Sequence, residues 1–319
     1  MRQCASALLA LALTILGVAP AAARDPAPAS IHHIDAIGAQ RSAVYVVSPA
    51  MGRIVRVDVL HPPDAQPRPT LYLLDGVESP PAESTWTVRT DVERFVADKK
   101  VNVVLPVGGS GSYYTNWQQR DPILGTGKWE TFLTAELPAL IDKTFHGNGR
   151  NAIAGLSMGG QAALTLAARN PRLYRAVAAY STCPDTSLPD QRALVRATVV
   201  SRGGNPFNMW GAEGNPAWEA HNPFALAPRL RGVALYVSVG SGVPGPLDFR
   251  LEPDAPTAIS FGAPLEFAAR VCTERFERRL TDLNIPARFV YRPEGVHSWP
   301  HWQLALHDSW PTLIAGLGS

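Results

Sequence analysis

From Ala43 to Leu60 the chain reads AVYVVSPAMGRIVRVDVL, two β-branched runs on either side of a Gly. That pattern predicts two opening antiparallel strands. Further on the pattern changes to short, almost wholly apolar runs that end in Gly, polar or loop residues: TLYLLDG, VNVVLPVGG, RNAIAG, YRAVAAYS, GVALYVSVG and ARFVYRPEG. Runs of this kind predict strands buried on both faces, as in a parallel sheet. Several are separated by segments of helical period. KWETFLTAELPALIDKTF carries a Pro in its middle, MGGQAALTLAARNP stops at Pro171, and APLEFAARVCTERFERRLTDLNI is long and amphipathic. Strand and helix in alternation imply an α/β fold, a mostly parallel central sheet flanked by helices on both faces, with ligands bound at the carboxyl ends of the strands.

The N-terminus obeys a different rule. MRQCASALLALALTILGVAPAAARDPAPAS has an early Arg2, a run of roughly 14 apolar residues, short of the ~20 that span a bilayer, and AAA before Arg24 as a small-residue cleavage site. It predicts a signal peptide over residues 1–23, cleaved near Ala23, then a Pro-rich linker over 24–34 and a single catalytic domain over 35–319. The expected location is secreted or in the cell envelope, without a transmembrane anchor. Cys4 precedes the apolar run and leaves with it, so Cys183 and Cys272 are the cysteines of the mature chain. An oxidising compartment permits a bridge between them, but two cysteines do not imply one. With 18% charged residues and a formal net charge of +2, and no Lys/Arg cluster, the chain has no electrostatic footprint for nucleic acid.

The sharpest chemical feature is GLSMGG, in which Ser157 stands between glycines. A G-x-S-x-G pattern arises by chance in roughly one chain of this length in ten. Here it follows the strand-like RNAIAG and opens a helix, which is the context of a nucleophile elbow in an α/β hydrolase. Such a turn needs Gly155, Gly159 and Gly160 because backbone passes within van der Waals reach, and it presents Oγ at a helix N-terminus that favours developing negative charge. A serine also needs a base, and in this fold the chain order is Ser, acid, His. His297 lies in RPEGVHSWPHW, directly after the last predicted strand, with His301 its rival. The acid must come between, and Asp248, Glu252, Asp254, Glu266, Glu274 and Glu277 all qualify by position.

Read in order, SPAMGR, LYLLDG, VVLPVGG, YTNW, KWETFLTAELP, GLSMGG, MWG, PAW and HSWPHW resemble the antigen 85 mycolyltransferases of mycolic-acid-bearing actinobacteria, over nearly the whole mature chain. The resemblance implies an α/β-hydrolase-fold acyltransferase that moves mycolyl groups between trehalose esters and onto cell-wall arabinogalactan through an acyl-serine, with no metal or organic cofactor. Matched position by position it puts the nucleophile on Ser157, the base on His297 and the acid on Glu266, the last from aligning LEFAARVCTERF with the family's helix. It puts the oxyanion hole on the backbone N–H groups of Val77 and Met158. Asp75, Asp185, Arg270, Ser298 and Trp299 match positions that contact or border the sugar or ester. Glu78 in DGVESPP stands where the family has a trehalose-binding Arg, which reverses a charge at the expected sugar site. The loop NWQQRDPILGTGKWE lacks the cysteine pair that the family often places there. Two other readings share the sequence: a secreted carboxylesterase that uses the same triad with water as acceptor, and a cell-surface protein that binds host matrix, which would not need Ser157.

Overall fold

A computed structural model of the chain describes residues 27–250 and 255–318. The expected signal peptide lies outside the described residues, as do the candidate acids Glu252 and Asp254. One nine-stranded sheet runs in the order β1-β2-β3-β5-β4-β6-β7-β8-β9. The strands are β1 Ser30–Gly38, β2 Arg41–Ser48, β3 Arg53–Leu60, β4 Arg68–Leu74, β5 Asn102–Pro106, β6 Gly147–Leu156, β7 Tyr174–Tyr180, β8 Ala234–Val239 and β9 Arg288–Tyr291. From β5 through β9 every pairing is parallel, whereas β1, β2 and β3 are antiparallel and join at β3–β5.

Side chains alternate across a strand, so the parallel block has two cores. Tyr72 and Leu74 of β4 face one side, where they pack with Ala162, Leu166 and Phe276. Leu71 and Leu73 face the other, with Trp86, Ala305 and Leu313. Burying one such Leu fully is worth about 1.5–3 kcal/mol, and every residue of β4 is buried. This is the physical content of the uninterrupted apolar runs.

The helices that matter for the site are α1 (Leu137–Thr144), α2 (Met158–Arg169), α3 (Pro189–Val200), α4 (Ala255–Asp282) and α5 (Trp299–Leu317). Three expectations need correction. Residues 30–34, read as linker, belong to β1, whose side chains are almost all exposed and carry no alternation to read. The Pro in KWETFLTAELPALIDKTF does not sit within one continuous helix: a helical turn at Trp129–Thr131 leads into a π-turn over Phe132–Glu136, and Pro138 falls in the first turn of α1, where its missing N–H is tolerated. Helix α4 begins at Ala255, well before the expected start, and carries Pro264 inside it.

Candidate active site

Ser157 joins the end of β6 to the start of α2 with φ 51° and ψ −121°, a backbone conformation that a non-glycine residue adopts only under constraint. The constraint is visible on both sides. The Ser157 N–H donates to Tyr180 O of the neighbouring strand at 2.8 Å. A Cβ on Gly155 would stand 2.4 Å from Gly159 O, and one on Gly159 would stand 2.3 Å from Asp75 O. Close backbone approach therefore demands these glycines, and the turn cannot relax. Among the described residues the N–H groups of Val77 and Met158 have no acceptor, and Val77, Ser157 and Met158 line one cavity. Two free amides beside a hydroxyl at a helix N-terminus make a place for an oxyanion.

His297 arrives on the loop after β9. Its Nδ1 donates to Glu266 Oε2 at 2.8 Å, and its ring meets Trp302 edge-on with centroids 5.0 Å apart. Glu266 is fully buried. Its second oxygen, Oε1, accepts from Gly240 N at 2.6 Å and Ser181 Oγ at 2.7 Å, so both carboxylate oxygens are held. No hydrogen bond joins Ser157 Oγ to the imidazole among the described residues, yet both side chains line the same two cavities; catalytic bonds of this kind often tighten only with substrate bound.

Asp248 and His301, the alternatives by position, meet each other instead. Asp248 Oδ1 accepts from His301 Nε2 at 3.0 Å and from Ser298 Oγ at 2.9 Å. Glu274 accepts from Arg270, and Glu277 from Tyr291.

Helix α4 is fastened to the segment after β7 by a ladder of contacts. Ser181 donates to Glu266, Thr273 Oγ1 donates to Thr182 O at 3.4 Å, Arg275 donates to Asp185 Oδ2 at 3.0 Å, and a disulfide joins Cys183 to Cys272. The bridge that the sequence left open is thus one rung of the structure that holds Glu266 against His297.

Two cavities meet at Ser157. One, of about 140 Å³, is lined by Tyr113, Leu194, Val195 and Leu265, together with Cys183 and Asp185. The other, of about 460 Å³, is lined by Glu78, Arg89, Arg250, Ser298, Trp299 and Trp302. The residues expected at the sugar or ester separate accordingly. Glu78, Ser298 and Trp299 line the larger cavity. Asp185 lines the smaller one, but its buried carboxylate is taken by Arg275, Ser187 and Asn222, and these donors hold it below the usual carboxylate range against the opposing effect of burial, the largest single influence. Arg270 lines neither cavity; it donates to Glu274 and to Arg292 O and lies over Tyr291. Asp75 also lines neither. It is buried beneath the elbow, where it accepts from Thr85 N and Ser84 Oγ, and burial pushes its carboxyl up to about 7. Arg89, Arg250, Leu194 and Ser181 also line the two cavities, and no sequence pattern marks them: the first three lie outside any motif, and Ser181 ends a strand run.

The chain matches the Esterase protein family over residues 48–313. It is 31% identical to the diacylglycerol acyltransferase/mycolyltransferase Ag85A of Mycobacterium tuberculosis (strain H37Rv) over 284 residues, covering 86% of this chain and 80% of that one. Among solved structures it resembles MPT51 (FbpC1) of Mycobacterium tuberculosis, with a TM-score of 0.73 and 26% identity over 86% of this chain and 97% of the other. An S-formylglutathione hydrolase from Agrobacterium tumefaciens shares the fold, with a TM-score of 0.64 and 18% identity over 88% and 98% of the two chains.

Proposed function

This chain belongs to the Esterase family and is a relative of the antigen 85 mycolyltransferases, and on that footing we propose that it is a serine acyltransferase with Ser157, His297 and Glu266 as nucleophile, base and acid. The observation that carries the reading is Ser157 at φ 51°, at the meeting of two cavities that it shares with a His297 held by a buried carboxylate.

In the first half-reaction Ser157 Oγ attacks the ester carbonyl while His297 Nε2 takes its proton. The Val77 and Met158 amides receive the oxyanion, and the departing alcohol collects the proton from His297 as the acyl-serine forms. In the second half, an acceptor hydroxyl loses its proton to His297 as it attacks the acyl carbon, and His297 returns that proton to Ser157 Oγ as the acyl–serine bond breaks. Glu266 keeps the imidazole proton on Nδ1 so that Nε2 faces the chemistry. The apolar cavity beside Tyr113 and Leu194 suits the start of an acyl chain, and the wider one, with charged rim groups and two indoles, suits a sugar acceptor.

The finer substrate assignment is mycolyl transfer between trehalose esters and onto arabinogalactan. Glu78 at the rim of the acceptor cavity argues for an acceptor held differently from one that an Arg would grip, because a carboxylate only accepts hydrogen bonds. Secretion follows from the N-terminal pattern; no helix among the described residues is long and apolar enough to cross a membrane. The test is incubation with trehalose monomycolate: dimycolate as the main product supports transferase action, free mycolic acid alone makes the protein a hydrolase, and no product from this or a p-nitrophenyl ester removes the reading.

A further inference from the structure

The loop that delivers His297 has a second anchor besides Glu266. Asp248 is fully buried and has no Lys or Arg partner among the described residues. Its Oδ1 accepts from Ser298 Oγ and His301 Nε2, and its Oδ2 accepts from Gly245 N at 2.9 Å. With Ser298 Oγ and His301 Nε2 donating, all three partners are donors, an arrangement that suits a group with two accepting oxygens. An amide would set its NH₂ against another N–H or O–H. A buried carboxylate without a cation is costly to desolvate, so apolar filling would serve stability better; its place beside the histidine points elsewhere.

His301 transmits the same hold to the start of the loop. Its ring lies against Gly295, where a Cβ would come within 2.7 Å of the imidazole. Its Nδ1 is buried without a partner, and the tautomer that fits carries the ring proton on Nε2, toward Asp248. Gly295 N donates to Val243 O at 2.7 Å, and His297 N donates to Gly262 O at 3.2 Å. The segment 295–298 is therefore gripped at Gly295 by His301, at His297 by Gly262 and at Ser298 by Asp248.

We infer that Asp248 is a positioning residue for the reaction: through Ser298 Oγ and His301 Nε2 it sets the approach of the His297 ring to Ser157. Ser298 then serves the histidine loop rather than the acceptor, although it borders the acceptor cavity. The inference rests on the esterase reading of Ser157 and His297.

The test compares the full-length wild type with Ser298→Ala, which deletes a single hydroxyl, and with Asp248→Asn. Three quantities are read: the acylation burst with p-nitrophenyl butyrate, transfer to trehalose, and the downfield proton resonance of His297 Nδ1–H. Both variants are expected to slow the burst by about ten- to a hundredfold, the worth of a hydrogen bond to a charged group, with KM for trehalose unchanged and the resonance broadened. A wild-type burst in Ser298→Ala with a raised KM for trehalose makes Ser298 an acceptor contact and overturns the inference. A burst and resonance unaltered in both variants overturn it as well. If the wild type releases no p-nitrophenol at all, the esterase reading fails, and the resonance alone decides whether Asp248 holds the ring: broadened in the variants upholds the anchor, unchanged refutes it.

Discussion

Glu266 and His297 stand 31 residues apart in the chain and 2.8 Å apart in the fold, the imidazole donating from Nδ1 to Oε2. The carboxylate comes from the interior of a helix, and Gly240 N and Ser181 Oγ occupy its other oxygen. The glutamate therefore has no freedom to turn away, and its orientation fixes the tautomer of the ring it meets.

Glu266→Gln is expected to lower kcat by roughly 10⁴-fold, through loss of the imidazole tautomer. It also carries a stability cost of about 1–3 kcal/mol, because an NH₂ must face either His297 or the Gly240 and Ser181 donors. Steady-state kinetics and urea unfolding check both numbers. Near-wild-type turnover would place the acid elsewhere.

Ser157→Ala is expected to abolish covalent labelling by a serine-directed phosphonate and to cut turnover on the order of 10⁶-fold if the three groups act as a unit. Intact-mass spectrometry should find one adduct on the wild type. An adduct on the variant would show that another serine carries the chemistry.

Asp75 makes stability depend on pH. Burial raises its carboxyl from its ordinary value of 3.8 to about 7, so between these limits the folded chain keeps a proton that the unfolded chain loses. Stability then falls as pH rises from 4 to 7, by an amount on the order of 4 kcal/mol, since a tenfold change in proton affinity is worth about 1.4 kcal/mol. The loss is complete above pH 7. Asp75→Asn still offers an acceptor to Thr85 N and removes the titration, so its Tm should decline less over this range. Parallel Tm curves for the two proteins would refute the effect.

The Cys183–Cys272 bridge closes a loop with a sequence separation of 89, and a disulfide typically contributes about 2–4 kcal/mol. Dithiothreitol should lower the Tm of the wild type and leave a Cys183→Ser, Cys272→Ser double variant unchanged, already at the lower value. Titration of two free thiols in the untreated, denatured mature protein would contradict the bridge.

Glu78→Arg is expected to improve trehalose as an acceptor, since an Arg donates paired bonds to sugar oxygens; one charge-assisted bond is worth ~1.5–3 kcal/mol, or roughly 10- to 150-fold in affinity. The comparison is transfer to trehalose, glucose and arabinose-containing acceptors by both proteins. Identical ranking and equal KM for trehalose would mean that residue 78 faces solvent during catalysis.

What the sequence determined by itself is local. Buried parallel strands must be apolar on both faces, so β4 through β8 could be read as uninterrupted runs, and a turn with no room for a Cβ must use glycine, so GLSMGG announced its geometry. The exposed strand β1 leaves no such mark because burial does not constrain its residue types, and the π-turn before Pro138 buries Phe132 and Leu133 in a spacing that an ordinary helical turn would share. The residues' own pattern left several carboxylates open and only the resemblance pointed to Glu266; the tertiary structure brings Glu266 to His297 and Asp248 to His301. Glu266 and Asp248 are both acids between Ser157 and His297 in the chain; the first reaches His297 from α4, and the second reaches His301 from the turn after β8. The tertiary structure likewise paired Cys183 with Cys272 and separated Glu78, at the cavity, from Arg270, away from it, because contacts between distant residues depend on how elements stack and not on the pattern within any one of them.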